Sequence, residues 1–338
     1  MLPLRSLRAL GVCCILAAAG AALANPAHAQ TAQGPSVDDL VNAVVQVKTF
    51  INPDGRTIEN LGRERQGSGV VISGDGLVLT IGYLMVEAHA AEVTTNDGRT
   101  VGADVVGYDY DTGFGLLRAS ASLKVRPMEL GKSASLGQGD KVLTIRAGGP
   151  EMIRPATVAA KREFAGYWEY LLDEAIFATP PVPDWSGAAL VARDGKLAGI
   201  GSLIVGDATG KGDGVPANMF VPIDLLPPIL GELIAGGRVS GAPRPWLGLT
   251  TDEINGQLVV RRVTPGGPAA KGGIAPGDVV TGLGGEATPT LGTFYRKLWA
   301  RGSAGVPVPL DVRRAGEQLR IDLQSVNRLN HLKLNSTF

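Results

Sequence analysis

Gly67-Ser68-Gly69-Val70-Val71-Ile72-Ser73-Gly74-Asp75-Gly76-Leu77-Val78-Leu79-Thr80-Ile81-Gly82-Tyr83 reads as two short apolar runs around a turn. Val70-Val71-Ile72 and Leu77-Val78-Leu79 are β-branched or aliphatic and too short for helices. Ser73-Gly74-Asp75-Gly76 between them has hairpin-turn chemistry. The same pattern recurs downstream. Residues 91–95 and 100–106 flank Asn96-Asp97-Gly98, and residues 188–192 and 196–203 flank Arg193-Asp194-Gly195. Further strands are expected over 114–118, 141–146, 156–161 and 171–178. Closely spaced short strands separated by turns predict a sandwich or barrel. Glycine supplies 47 of 338 residues, about double the usual share of roughly 7%, which fits many tight turns.

Outward from this region, 37–47 predicts a short helix entering a strand that ends near Phe50. The stretch 52–65 is polar, contains Pro53-Asp54-Gly55, and predicts a surface loop. Apolar residues at helical spacing over 223–234 predict a closing helix. The first 29 residues have the form of a secretory leader: Arg5 and Arg8, an apolar run over 9–24, and Ala27-His28-Ala29 before Gln30. That run is short for a bilayer span, so no membrane span is expected after cleavage. The location expected is the periplasm or outside the cell. Cys13 and Cys14 are the only cysteines and leave with the leader, so no disulfide is expected. Residues 30–37 are polar and are expected to lack regular structure. With 32 basic and 32 acidic residues and no Lys/Arg run, nothing suggests a nucleic-acid partner.

Gly- and Pro-rich residues 236–243 predict a linker. A second unit follows over 244–326, then a tail over 327–338. In this unit 258–263, 278–282, 307–313 and 318–323 predict strands, while 268–271 and 290–301 predict helices. No His/carboxylate set has metal-ligand spacing, and no phosphate-cradling loop with its lysine is present. Neither metal nor cofactor is expected.

The landmarks come in an ordered series. Gly67-Ser68-Gly69, Thr80, Asp97-Gly98-Arg99, Gly107-Tyr108-Asp109, Leu136-Gly137-Gln138-Gly139-Asp140 and Pro183 stand at fixed spacing. In this series the chain resembles the trypsin-like serine proteases of the HtrA/Deg type, over about residues 38–326. The resemblance implies a mainly β fold: a trypsin-like double β-barrel over 38–235, then one PDZ domain, a small α+β module, over 244–326. It also implies a homo-oligomer, since related proteases form trimers. The nucleophile position of the family falls on Ser186, the general-base position on Tyr83, the aspartate position on Gly113, and the oxyanion-hole glycine on Asp184. The chemistry needs a base to take the serine proton and a carboxylate to orient that base. An unactivated hydroxyl keeps its proton, and a phenol is a weak base near pH 7. A carboxylate at 184 is expected to swing toward the hole and repel a developing oxyanion. Asp111, two residues before the empty slot, and His89, six after Tyr83, are the alternative bases weighed. The other histidines are His28 and His331.

Arg244-Pro245-Trp246-Leu247-Gly248-Leu249 resembles the carboxylate-binding loop of a PDZ domain. Thr264-Pro265-Gly266-Gly267-Pro268-Ala269-Ala270 and Gly277-Asp278-Val279-Val280 resemble its later turns. The resemblance implies capture of a peptide C-terminus by the N–H groups of Leu247, Gly248 and Leu249, beside Trp246. Phe294 and Leu298 are either lining for its pocket or core residues. The expected function is a secreted pseudoprotease that binds peptides, unfolded segments or protein C-termini as a scaffold or regulator, with an active HtrA-type protease among its partners. The alternative is a serine endopeptidase with Ser186 as nucleophile and a non-standard base.

Overall fold

A computed structural model describes residues 34–334. The expected leader, its cleavage site, both cysteines and His28 lie outside the described residues. The first element is α1 (Val37–Asn42). The Asp39 amide donates to the Ser36 hydroxyl and the Ser36 amide donates back to the Asp39 carboxylate. This reciprocal cap satisfies two otherwise orphaned donors. The helix begins at Val37, where the expected short helix starts, and residues 34–36 before it have no regular structure.

Two closed six-stranded barrels follow. The first contains β1 (Val44–Ile51), β2 (Glu64–Val71), β3 (Leu77–Ile81), β4 (Ala88–Thr94), β5 (Thr100–Tyr108) and β6 (Phe114–Ala119), in the order β1-β2-β3-β6-β5-β4. The short helix α2 (Ile58–Leu61) lies between β1 and β2. The second barrel contains β7 (Lys141–Ile145), β8 (Ile153–Gly166), β9 (Tyr170–Thr179), β10 (Ala189–Val191), β11 (Leu197–Val205) and β12 (Ala217–Pro222), in the order β10-β11-β12-β9-β8-β7. Closure leaves no free sheet edge. Leu79, Ile81, Phe114, Leu116, Phe177, Met219 and Val221 share a single buried core that includes residues of both barrels. Strand β12 was not anticipated. It is buried along its whole length between β11 and β9, but Pro216 and Pro222 at its ends read as breakers.

The barrels meet at Ser68. Its amide donates to the Ser186 carbonyl at 2.8 Å, its carbonyl accepts from the Thr80 hydroxyl at 2.7 Å, and its hydroxyl accepts from the Ala147 amide at 3.0 Å. Gly187 fits against this joint only because it lacks a side chain. Its φ is +74°, and a Cβ there would lie 1.8 Å from the Ser68 carbonyl oxygen.

The expected helix over 223–234 is divided. A 3-10 turn (Ile223–Leu225) precedes α3 (Pro227–Gly236), because Pro227 and Pro228 suit a helix start and not its middle. Gly237 ends α3 in the left-handed conformation, and its carbonyl accepts from the Tyr108 amide at 3.2 Å. Residues 236–243 thus begin as a helix end held against β5. Gly107 permits the approach: a Cβ there would sit 2.9 Å from the Gly237 carbonyl oxygen.

The third sheet holds β13 (Leu249–Ile254), β14 (Gln257–Val263), β15 (Val279–Leu283), β16 (Glu286–Ala287), β17 (Pro307–Arg314) and β18 (Glu317–Gln324). The path is β13-β14-β15-β17-β18, with β16 paired to β15 and β13 at an edge. Helices α4 (Pro268–Lys271) and α5 (Leu291–Trp299) complete it. Its core packs Leu247, Val260, Phe294, Tyr295, Leu298, Val308 and Leu310. The described part of the tail packs back on the first barrel. A 3-10 turn (Arg328–His331) leads to Lys333, whose amide donates to Glu87 at 2.6 Å and whose carbonyl accepts from Asn52 at 2.9 Å.

Gly187→Ala is expected to destabilise the chain by more than the roughly 1–3 kcal/mol of a left-handed non-glycine residue, because the added methyl strikes the Ser68 carbonyl. Chemical denaturation of the variant beside the parent checks this.

Candidate active site and peptide groove

Tyr83 stands in a 3-10 turn (Gly82–Leu84) directly after β3. Its main chain is held from below by Arg65, whose guanidinium donates to the Tyr83 carbonyl at 2.7 Å, to the Val86 carbonyl and to the Thr57 hydroxyl. Burial pulls the Arg65 pKa down to about 10. The Tyr83 hydroxyl lies 2.7 Å from Ser186 Oγ and 2.8 Å from the Ser202 carbonyl oxygen. A phenol has one proton to donate, and a carbonyl can only accept. The Tyr83 proton therefore goes to Ser202, and Ser186 donates its own proton to the phenol oxygen. Trp185 Nε1 also donates to the Ser202 carbonyl, at 3.0 Å. Burial pushes Tyr83 up to about 12. At pH 7 about one molecule in 10⁵ would hold a tyrosinate there. At neutral pH the group that faces the Ser186 hydroxyl is thus a protonated phenol.

The turn that ends at Gly113 is held by local hydrogen bonds. Asp109 shapes the turn, accepting from the amide and hydroxyl of Thr112 at 2.8 and 2.7 Å. The Gly113 carbonyl then accepts from the Gly82 amide at 2.7 Å. Gly113 itself has φ +83°, and a Cβ would meet the Tyr170 hydroxyl at 3.2 Å. That hydroxyl donates to the Thr112 carbonyl at 2.6 Å. Tyr170, buried and stacked on Trp168 at 5.4 Å, thus lies directly against Gly113.

Asp184 has φ +54°, the left-handed conformation of the glycine it stands for. Its carboxylate is 3.3 Å from Arg146, which also donates to the Pro183 carbonyl at 3.0 Å. The charge is thus drawn to a largely buried guanidinium, a correction to the expectation that it swings toward an oxyanion. Asp111 pairs with Arg244 at 3.1 Å; burial pushes its pKa up while Arg244 pulls it down. The Arg244 guanidinium in turn lies 4.2 Å over the Trp299 ring, so Asp111 is committed to the junction with α5. His89 is exposed on β4. His331 lies 2.8 Å from Arg56 and 5.0 Å from the Trp246 ring.

Ser186 and Tyr83 open onto a cleft of about 540 Å³ walled by aromatic rings, among them Tyr108, Tyr167, Trp168 and Trp185. Among the described residues no histidine lines it. Arg328 and Leu332 from the tail do.

The second region is the loop before β13. The amides of Leu247, Gly248 and Leu249 converge as expected, and their common acceptor is Glu169 of the β8–β9 hairpin. The Glu169 carboxylate accepts from Leu247 at 3.0 Å, Gly248 at 2.7 Å and Leu249 at 2.9 Å. Burial pushes Glu169 up to about 7, against the pull of the three amides. Nearby, the Thr251 amide on the open edge of β13 donates to the Tyr167 carbonyl at 2.9 Å. The Tyr295 hydroxyl donates to the Gly166 carbonyl at 2.7 Å and accepts from the Glu169 amide at 3.2 Å. Phe294 and Leu298 are fully buried in the core of the sheet, which the hairpin residues Ala165 and Leu171 also cover. Trp246 is buried under His331 and pairs with Val326, so it wedges the loop in place. Glu169, Tyr295, Tyr170 and Arg65 were not singled out from sequence. Gly166 marks the hairpin, but nothing local signals what Glu169 reaches.

Two family models match: a trypsin-like peptidase domain over residues 67–200 and a PDZ domain over residues 245–324. A protein named as a DegP-like periplasmic serine endoprotease in Pseudomonas fulva (strain 12-X) is 31% identical over 279 residues, covering 75% of this chain and 56% of its own length. HhoA of Synechocystis sp. (strain ATCC 27184 / PCC 6803 / Kazusa), named as a serine protease, is 28% identical over 312 residues, covering 82% of this chain and 75% of its own. The chain spans about half the length of the DegP-like relatives it matches. Among solved structures, the HtrA-type protease AlgW with a decapeptide superposes with a TM-score of 0.50 at 23% identity, covering 86% of this chain and 97% of the other. That likeness speaks for the fold alone.

Tyr83→Phe should cost about 1–3 kcal/mol of stability, since two hydrogen bonds worth about 0.5–1.5 kcal/mol each are lost. Because Tyr83 holds its proton more tightly folded than unfolded, the parent should lose stability relative to Tyr83→Phe as pH rises from 10 toward 12. Urea midpoints of both proteins across that window test it.

Proposed function

Starting from a chain that belongs to the HtrA-type trypsin-like proteins with a PDZ domain, we propose that it is an exported binding protein built on a protease scaffold. It captures peptides, unfolded segments or protein C-termini and serves as scaffold or regulator, with an active HtrA-type protease among its partners and a homotrimer as its assembly. The observation that carries this reading is the proton arrangement at Ser186: the only group described within hydrogen-bond reach of its hydroxyl is a phenol held at about 12. Two departures support the same reading, namely Tyr83 and Gly113 backed by Tyr170. The tail residues Arg328 and Leu332 in the cleft add a third, since an extended substrate would have to share that space. Export rests on the form of the leader and on the periplasmic naming of the relatives.

A second reading has its own support. The relatives are named as serine endoproteases, and Ser186 is retained. On that reading the chain is an endopeptidase whose base arrives by rearrangement around Ser186. This is the reading the relatives' names favour; the atoms around Ser186 favour the first.

A fluorophosphonate probe applied to the purified protein between pH 6 and 9 separates them. The binding reading expects no labelling above that of Ser186→Ala. Labelling that depends on Ser186, together with cleavage of unfolded casein, would establish the endopeptidase reading instead. Tyr83→His alone is expected to restore neither, because the imidazole would lack a carboxylate at 113 to orient it.

A further inference from the structure

The loop before β13 and the open edge of β13 are where a PDZ domain takes a peptide end: clustered amides for the carboxylate, an unpaired strand edge for the main chain. Both positions are filled here by one segment of the same chain. The Glu169 carboxylate accepts from all three loop amides, and two residues earlier the Tyr167 carbonyl accepts from Thr251 on the strand edge. We propose that the tip of the β8–β9 hairpin is a built-in ligand of the PDZ domain. Glu169 stands in for a terminal carboxylate, and a free peptide end binds only by displacing it. This rests on the peptide-capture reading given above and names what regulates that groove.

Four observations support a seated ligand over a chance contact. Glu169 is almost completely buried. It has φ +61°, the left-handed conformation that glycine adopts most easily, so a backbone more comfortable for glycine carries the one side chain that reaches the loop. The hairpin is clasped from α5: Tyr295 bridges Gly166 and Glu169, and Arg296 pairs with Glu163 at 2.6 Å and with Asp173. Ala165 and Leu171, flanking the tip, pack on the PDZ core.

The same tip forms part of the serine cleft. Tyr167 and Trp168 line it, and the Trp168 carbonyl accepts from the Tyr110 hydroxyl and from Arg328 at 3.2 Å.

The test uses the full chain, Glu169→Ala and the shape-conserving Glu169→Gln. Amide hydrogen exchange over 247–249 reads the internal contact. Fluorescence polarisation with a fluorescein-labelled pool of decapeptides, random in the last four residues and ending in a free carboxylate, reads competition; the amidated pool is the control. The parent should protect 247–249 and Glu169→Ala should lose that protection. The free-carboxylate pool should bind Glu169→Ala about tenfold tighter than the parent, as expected if about a tenth of parent molecules are open, while the amidated pool gains nothing. Equal exchange in parent and Glu169→Ala, or equal affinity of both for the pool, overturns the proposal. If protection is lost yet neither protein binds the pool, the built-in ligand stands and the peptide-capture reading fails. Should Glu169→Ala not fold, Tyr295→Phe removes the bridge from α5 and is expected to move both readouts in the same direction.

Discussion

The Ser68 backbone is the point on which the rest of the molecule is assembled. One residue of β2 offers its amide to the Ser186 carbonyl, its carbonyl to Thr80 and its hydroxyl to Ala147. These contacts fix the end of β3, the turn after Asp184 and the start of the second barrel against each other. Buried main-chain groups must find partners, so this meeting point tolerates almost no side chain on its far side. That is why Gly187 sits there with positive φ. The position of Ser186 follows from this joint, and it would follow whatever chemistry the serine performed. A retained serine at a retained turn is thus explained by packing before function is considered.

What surrounds the serine is a different matter. Its hydroxyl is oriented by a phenol whose single proton is already committed to Ser202. The neighbouring carboxylates are committed as well: Asp111 to Arg244, Asp184 to Arg146, and Asp109 to the turn at Thr112. Each charged group near the cleft serves a structural contact. Burial compounds this by raising Tyr83 and Tyr170, which holds their protons more tightly still.

Much of this was legible in the sequence, for identifiable reasons. Hairpins announced by Ser73-Gly74-Asp75-Gly76 or Asn96-Asp97-Gly98 are local, and the turn residue itself carries the information. Tyr83, Gly113, Ser186 and Asp184 were singled out through the family resemblance, and of these Tyr83 and Ser186 meet in space, at 2.7 Å. The misses were long-range. Strand β12 is disguised by flanking prolines and gains its partners from β9 and β11. Phe294 and Leu298 lie at groove-like spacing, but which way they face is decided by the packing of α5. Glu169 reaches a loop about 80 residues later, from a left-handed backbone that no local pattern predicts for glutamate. The direction of the Asp184 carboxylate depended on Arg146, which nothing in the local motif mentions.

Tyr170 has a consequence for the history open to this chain. Its hydroxyl braces the very turn that an aspartate at 113 would have to occupy, and the backbone there has settled into a shape that suits glycine. On the binding reading proposed above, a return to triad chemistry would ask for the brace to go, the turn to change shape and both side chains to be replaced together, so the present packing would act as a ratchet.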